Sequence, residues 1–120
     1  MLLSEKQKIF TFNIHKLIEF AFLNHFELTF GEVYRTQEQQ RIYFNSGRSK
    51  TMNSRHLQRL AVDFNIFKAG VLLNASKDIQ QLGEYWITLN TDNVWGGDWD
   101  RDHSIADETF LDPYHFEMKP

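Results

Sequence analysis

Apolar residues recur at three- and four-residue steps near the start of the chain: Phe10, Ile14, Leu17 and Ala21, with Ile18 beside them. That spacing puts them on one face of a helix. Ser4 with Gln7 forms a capping-box pattern ahead of them, so a helix is expected over residues 5–25. The period then shortens: Leu28, Phe30, Glu32 and Tyr34 alternate with Thr29, Gly31, Val33 and Arg35, a short strand that Gly31 interrupts. Thr36 to Gln39 repeats the capping pattern and opens a second helix, with Ile42 and Tyr43 inward and Asn45-Ser46-Gly47 at its end. Residues 47–55 are small and polar and read as a loop. Leu60 to Phe67 alternate in part, as a strand does. Ser76 can cap a third helix, which carries Ile79, Leu82, Tyr85, Trp86 and Leu89 at helical spacing. Residues 90–112 are rich in Gly, Asp and Asn and read mostly as a loop, and Tyr114 to Met118 read as a closing strand.

Helices and strands therefore alternate three times without a repeat. The last strand follows a long loop, not a crossover helix, which favours an antiparallel sheet and an α+β fold over a parallel α/β one. The chain has 120 residues, enough for a single domain over residues 1–120. At 42% hydrophobic, 24% charged and 15% aromatic it has the composition of a globular protein with a real core. A net charge of −3 argues against a nucleic-acid partner. MLLSEKQKIF meets charge too early for a signal peptide, and the apolar runs fall far short of the ~20 residues that cross a bilayer. The expectation is a monomer made in the cytoplasm, with no membrane partner. The Phe-rich first helix lacks a Lys/Arg-rich polar face, so it is expected to pack on the sheet and not on a membrane surface.

The absence of Cys removes thiol nucleophiles, disulfides and Cys-ligated zinc at once. Any metal centre must use His, Asp or Glu. Two segments offer them. In the first, His56 leaves a polar loop and Asp63 stands among Ala61, Val62, Phe64 and Ile66. A carboxylate there needs a partner or a metal, because burying it bare is costly. The spacing of seven is odd, so a straight strand would aim the two side chains at opposite faces, and a bend is required. In the second segment, His115 and Glu117 are two apart and share a strand face, and Asp112 stands just before them. Two His and one Asp make a three-ligand zinc set with an open fourth position. Asp112 would then be placed to take a proton from water. A third acidic stretch, Asp98 to Asp102, starts like a calcium loop, but His103 and Thr109 stand where the EF-hand needs Gly and Glu, so that reading fails.

Ser54-Arg55-His56-Leu57-Gln58-Arg59-Leu60-Ala61-Val62-Asp63 resembles the Ser-x-His-x-x-Gly-x-Ala-x-Asp motif of the zinc D-alanyl-D-alanine carboxypeptidases and the phage L-alanyl-D-glutamate endopeptidases. Asp112-Pro113-Tyr114-His115-Phe116-Glu117 is similar to the Asp-x-x-His-Phe-Glu ending of the phage endolysins. Tyr34-Arg35-Thr36 with Glu38-Gln39, Ser46-Gly47-Arg48-Ser49 and Trp95-Gly96-Gly97-Asp98-Trp99 resemble further family motifs, so the resemblance covers residues 30–118 in family order. It implies a Hedgehog/DD-peptidase-like fold, a small antiparallel sheet packed with about three helices. It implies Zn²⁺ on His56, Asp63 and His115, with Asp112 as general base and Arg35 as the cation beside the oxyanion. Ser54 and Gln39 are implied as substrate-binding residues, and Glu117 as a support for a histidine ligand; Arg59, where the motif has Gly, is a further candidate for substrate contact. The implied substrate is the peptide stem of bacterial peptidoglycan, cut by an L-alanyl-D-glutamate endopeptidase that reaches the wall at lysis. The alternatives are D-alanyl-D-alanine carboxypeptidase action, or an inactive wall-binding or virion protein of the same fold. One departure motivates the last: Arg59 replaces the motif's Gly, which would ease the bend between the two ligands.

Overall fold

The computed structural model describes residues 1–106 and 111–120. Thr109, of the failed calcium-loop pattern, lies outside the described residues. The elements are α1 (Leu3–Leu23), β1 (Phe26–Phe30), α2 (Gln37–Asn45), a 3-10 turn (Arg55–Gln58), β2 (Ala61–Lys68), β3 (Val71–Leu72), α3 (Ser76–Thr88), β4 (Asn93–Trp95) and β5 (His115–Met118). The sheet order is β1-β2-β5-β4, with β3 paired on β2, and every pairing is antiparallel. The α+β reading with three helices and a small antiparallel sheet holds.

Alternation along two central strands separates the core from the chemistry. In β2, Val62, Phe64 and Ile66 are buried, while Asp63 and Asn65 point the other way. In β5, Phe116 and Met118 join the core, while His115 and Glu117 share the face of Asp63. Phe10, Ile14, Leu17 and Ala21 of α1 and Ile79, Leu82 and Trp86 of α3 cover the apolar face. Each such large side chain contributes about 1.5–3 kcal/mol on burial. Gly83 in α3 lets the helix approach Trp95, since a Cβ there would stand 2.0 Å from the indole. The indole in turn donates to the Pro113 carbonyl at 2.8 Å and so anchors the approach to β5.

Several local expectations need correction. The capping pattern at Ser4 is not used: α1 starts at Leu3, and the Leu2 carbonyl accepts from Glu5 and Lys6. Ser76 likewise lies inside α3, behind Ala75. Thr36 does cap α2, its Oγ1 accepting from the Gln39 amide at 3.1 Å. Within α2, however, Gln40 is buried and Ile42 is exposed, the reverse of an apolar inward face. The strand expected through Tyr34 stops at Phe30. β4 arises within the stretch read as loop.

Candidate metal centre

The bend required between His56 and Asp63 is built by the 3-10 turn. Ser54 Oγ accepts from the His56 amide at 3.2 Å and starts it. Arg59 ends it in the left-handed region, at φ 55° and ψ 38°. The chain then enters β2, and Asp63 falls directly opposite His115 in the β2–β5 ladder. A strap of backbone after β1 holds both sides of this bend. Gly31 N donates to Asp63 O at 2.7 Å, Asp63 N to Glu32 O at 2.9 Å, and Arg35 N to His56 O at 3.3 Å.

His56, Asp63 and His115 bring one donor atom each within 4.8 Å of one another. The tautomers follow from their partners. His56 Nδ1 lies 3.0 Å from the Val33 carbonyl, which can only accept, so Nδ1 carries the proton and Nε2 offers a lone pair. That Nε2 is buried, 3.3 Å from Asp63 Oδ2, and has no hydrogen-bond partner. An orphaned ring nitrogen between a second His and a carboxylate fits a metal ion, and the set of two nitrogens and one oxygen suits zinc. His115 Nε2 donates to Glu117 Oε1 at 2.8 Å, which leaves Nδ1 turned to Asp63 Oδ1 at 3.1 Å. With a metal on the Asp63 side, Glu117 would keep the remaining proton on Nε2 and leave Nδ1 as the ligand.

The charges are consistent with such a site. Burial pushes the Asp63 carboxyl up, but the close approach and charge of His115 and His56 outweigh it and hold it well below the usual carboxylate range. Burial pulls His115 down, yet Asp63 and Glu117 raise it to about 9. Asp112 ends above its usual value: burial raises it, the charge of His115 opposes, Asp63 adds to the rise, and His56 and Arg35 oppose. A carboxyl raised in this way suits proton exchange.

These residues share a cleft of about 750 Å³, whose lining includes Glu32, Arg35, Ser54, His56, Asp63, Trp99, Asp112, His115 and Glu117. A family model described as phage L-alanyl-D-glutamate peptidase matches residues 6–119. The chain belongs to that family. A relative from this phage peptidase family, the L-alanyl-D-glutamate peptidase of Listeria phage A118, is 35% identical over 86 residues, which is 70% of this chain and 30% of that protein. The chain therefore spans under a third of the length of that curated relative. Among solved structures, Serratia marcescens L-Ala D-Glu endopeptidase ChiX superposes with a TM-score of 0.63 at 25% identity, over 86% of this chain and 75% of ChiX. A variant of the vancomycin-resistance D,D-pentapeptidase VanY, in complex with Zn(II), gives a TM-score of 0.57 at 17% identity over 91% of this chain and 70% of VanY, a likeness of fold.

Placement within this phage peptidase fold is uneven for the residues expected from sequence. His56, Asp63 and His115 converge, and Asp112, Arg35 and Ser54 line the same cleft. Gln39 does not line it; its neighbour Gln40 is the buried one. Gln40 Oε1 accepts from Arg35 Nη1 at 2.6 Å, and its Nε2 donates to Ser49 Oγ at 2.9 Å and to the Thr51 carbonyl. Arg35 also pairs with Glu32 and donates to Ser54 Oγ at 3.3 Å. The Arg59 guanidinium lies 4.0 Å from the centre of the Tyr34 ring, outside the lining of the cleft. Glu32, Tyr43, Arg48 and Trp99 line it without having been singled out as site residues.

The Trp-Gly-Gly-Asp-Trp turn is the scaffold of this site. Gly96 N donates to His115 O at 2.8 Å, and Asp112 N donates to Gly96 O at 2.9 Å, so one residue holds both segments. Asp98 does not line the cleft: it is buried, and accepts from the Asp102 and His103 amides at 3.2 and 2.9 Å. Burial pushes its carboxyl up to about 6. Among the described residues no helix is long and apolar enough to cross a membrane.

Proposed function

We propose that this chain is a zinc-dependent peptidoglycan peptidase that hydrolyses the L-alanyl-D-glutamate bond of the bacterial wall's peptide stem. The observation that carries the reading is the convergence of His56, Asp63 and His115 beside the raised Asp112 carboxyl in one cleft. His56 Nε2, Asp63 and His115 Nδ1 would hold the zinc, which supplies Lewis acidity toward water and the scissile carbonyl. Asp112 takes a proton from the attacking water on its carboxylate oxygen and returns it to the leaving amine. The Arg35 guanidinium, held by Glu32, Gln40 and Ser54, faces the charge that develops on the carbonyl oxygen. Val33 O and Glu117 keep the two imidazoles in the tautomers that leave His56 Nε2 and His115 Nδ1 available.

The chain acts as a single domain over residues 1–120 and reaches the wall at lysis. Inactivity through Arg59 finds no support, since that side chain lies on Tyr34 and not in the cleft. The test is mass spectrometry of muropeptides after digestion of purified peptidoglycan with the zinc-loaded chain. New alanine carboxyl and glutamate amino termini are expected. Asp112→Asn should abolish them while retaining about one zinc per chain. Release of no new termini by the wild type, or no bound zinc, would overturn the reading.

A further inference from the structure

Four cationic side chains line the cleft: Arg35, Arg48, Lys50 and Arg55. Arg35 is committed to Glu32, Gln40 and Ser54. Arg55 lies 3.9 Å from Glu117 and donates to Gln58 Oε1 at 3.2 Å. Arg48 differs. Its guanidinium lies 4.7 Å from the centre of the Tyr43 ring, the ring that Arg35 also meets at 4.7 Å, and among the described residues no carboxylate pairs with it. Its backbone is pinned to the same residue, with Arg48 N and Ser49 N donating to Tyr43 O at 2.9 and 3.1 Å. A guanidinium braced by its face on an aromatic ring keeps its N–H edge available, and that edge matches a carboxylate bidentately.

The substrate of the peptidase reading supplies such a carboxylate. Glutamate has two carboxyl groups, and only one continues the peptide stem, so the other is a free anion on the leaving side of the bond. We propose that Arg48, braced on Tyr43, is the specificity-determining residue that receives this free glutamate carboxylate. The assignment rests on the peptidase reading given above. It divides the cations of the cleft: Arg35 serves the reacting carbonyl, Arg48 the leaving residue.

The test uses the zinc-loaded full chain and two synthetic stem peptides that differ only in the free glutamate carboxyl, a carboxylate in one and a primary amide in the other. The wild type should show kcat/KM at least tenfold higher on the acid, mainly through KM. Arg48→Gln should lose at least tenfold on the acid and less than twofold on the amide, and Arg48→Lys should recover part of the loss. Arg48 is exposed, so thermal melting of both variants should match the wild type. Equal losses on both peptides, a preference that survives in Arg48→Gln, or a preference that collapses in Lys50→Met instead would overturn the assignment. A wild type that cleaves both peptides equally would overturn it while leaving the peptidase reading standing. Cleavage of neither peptide would overturn that reading and the assignment with it.

Discussion

A Cβ placed on Gly96 would stand 2.0 Å from the Asp112 carbonyl oxygen and 3.1 Å from the His115 Cβ. The first of these contacts is with backbone and cannot be relieved by a rotamer change. Gly96→Ala must therefore displace the segment that carries both residues. Overpacking of this kind costs about 1–3 kcal/mol, and a shift of about 1 Å at a reacting group can cost 10²-fold in rate. A lower melting temperature and a kcat/KM reduced roughly a hundredfold are expected. Wild-type turnover by a stably folded Gly96→Ala chain would show that the turn does not position Asp112.

Adjacent glutamines in α2 should behave oppositely. Gln40 is fully buried and joins Arg35 to Ser49 and Thr51. Gln40→Ala strands those partners, at about 1–3 kcal/mol, and frees Arg35. Its kcat should fall at least tenfold with KM little changed. Gln39→Ala should alter neither quantity by more than twofold. Chemical denaturation and steady-state kinetics on both variants check this.

Zinc binding should depend steeply on pH. His115 stands at about 9 in the metal-free chain, so below that pH it must give up a proton to become a ligand. The apparent affinity should then rise about tenfold per pH unit up to pH 9, with Asp63 already ionised throughout. The stability effect has the opposite sign. A histidine raised in the folded state stabilises the metal-free chain fully below its ordinary value of 6.5, and that contribution is lost as pH rises through about 9. The metal-free melting temperature should therefore fall over this interval while the increment given by zinc grows. Calorimetry in buffers of different ionisation enthalpy counts the protons released; a pH-independent affinity would contradict the assigned state of His115.

Arg59 takes up the left-handed backbone of the bend at a cost of about 1–2 kcal/mol that glycine would not incur. Its stacking on Tyr34 gives back about 0.5–1 kcal/mol. Arg59→Gly should accordingly change stability by less than about 1 kcal/mol in either direction and leave kcat/KM within twofold. A large gain in activity would show that Arg59 hinders the site after all.

Much of this was legible because chemistry and periodicity coincide. Asp63 breaks an apolar run, His115 and Glu117 keep strand spacing, and the required bend appears at Arg59. The parts that were not legible are those where long-range contacts decide. Gln40 turns inward in place of Ile42, where its amide meets Arg35, Ser49 and Thr51. β4 carries no alternation, since all three of its residues are buried, and Asn93 Nδ2 donates to Asn13 Oδ1 and to the Trp86 carbonyl from two helices. Arg59 looked like a cleft residue because position alone does not say which way a side chain at a left-handed corner leaves the backbone. Arg48 was visible as part of a motif, but its tie to Tyr43 was not.

β5 is inserted between β2 and β4, and His115 meets Asp63 only through that insertion. The three proposed donors thus come from two places in the chain: two from a local corner, one from a strand made after β4. A nascent chain that has already formed α1 through β4 still has only two of its three metal donors. If these residues hold zinc as proposed, metal capture would double as a completion signal: an ion retained against a chelator would report that the centre of the sheet has closed.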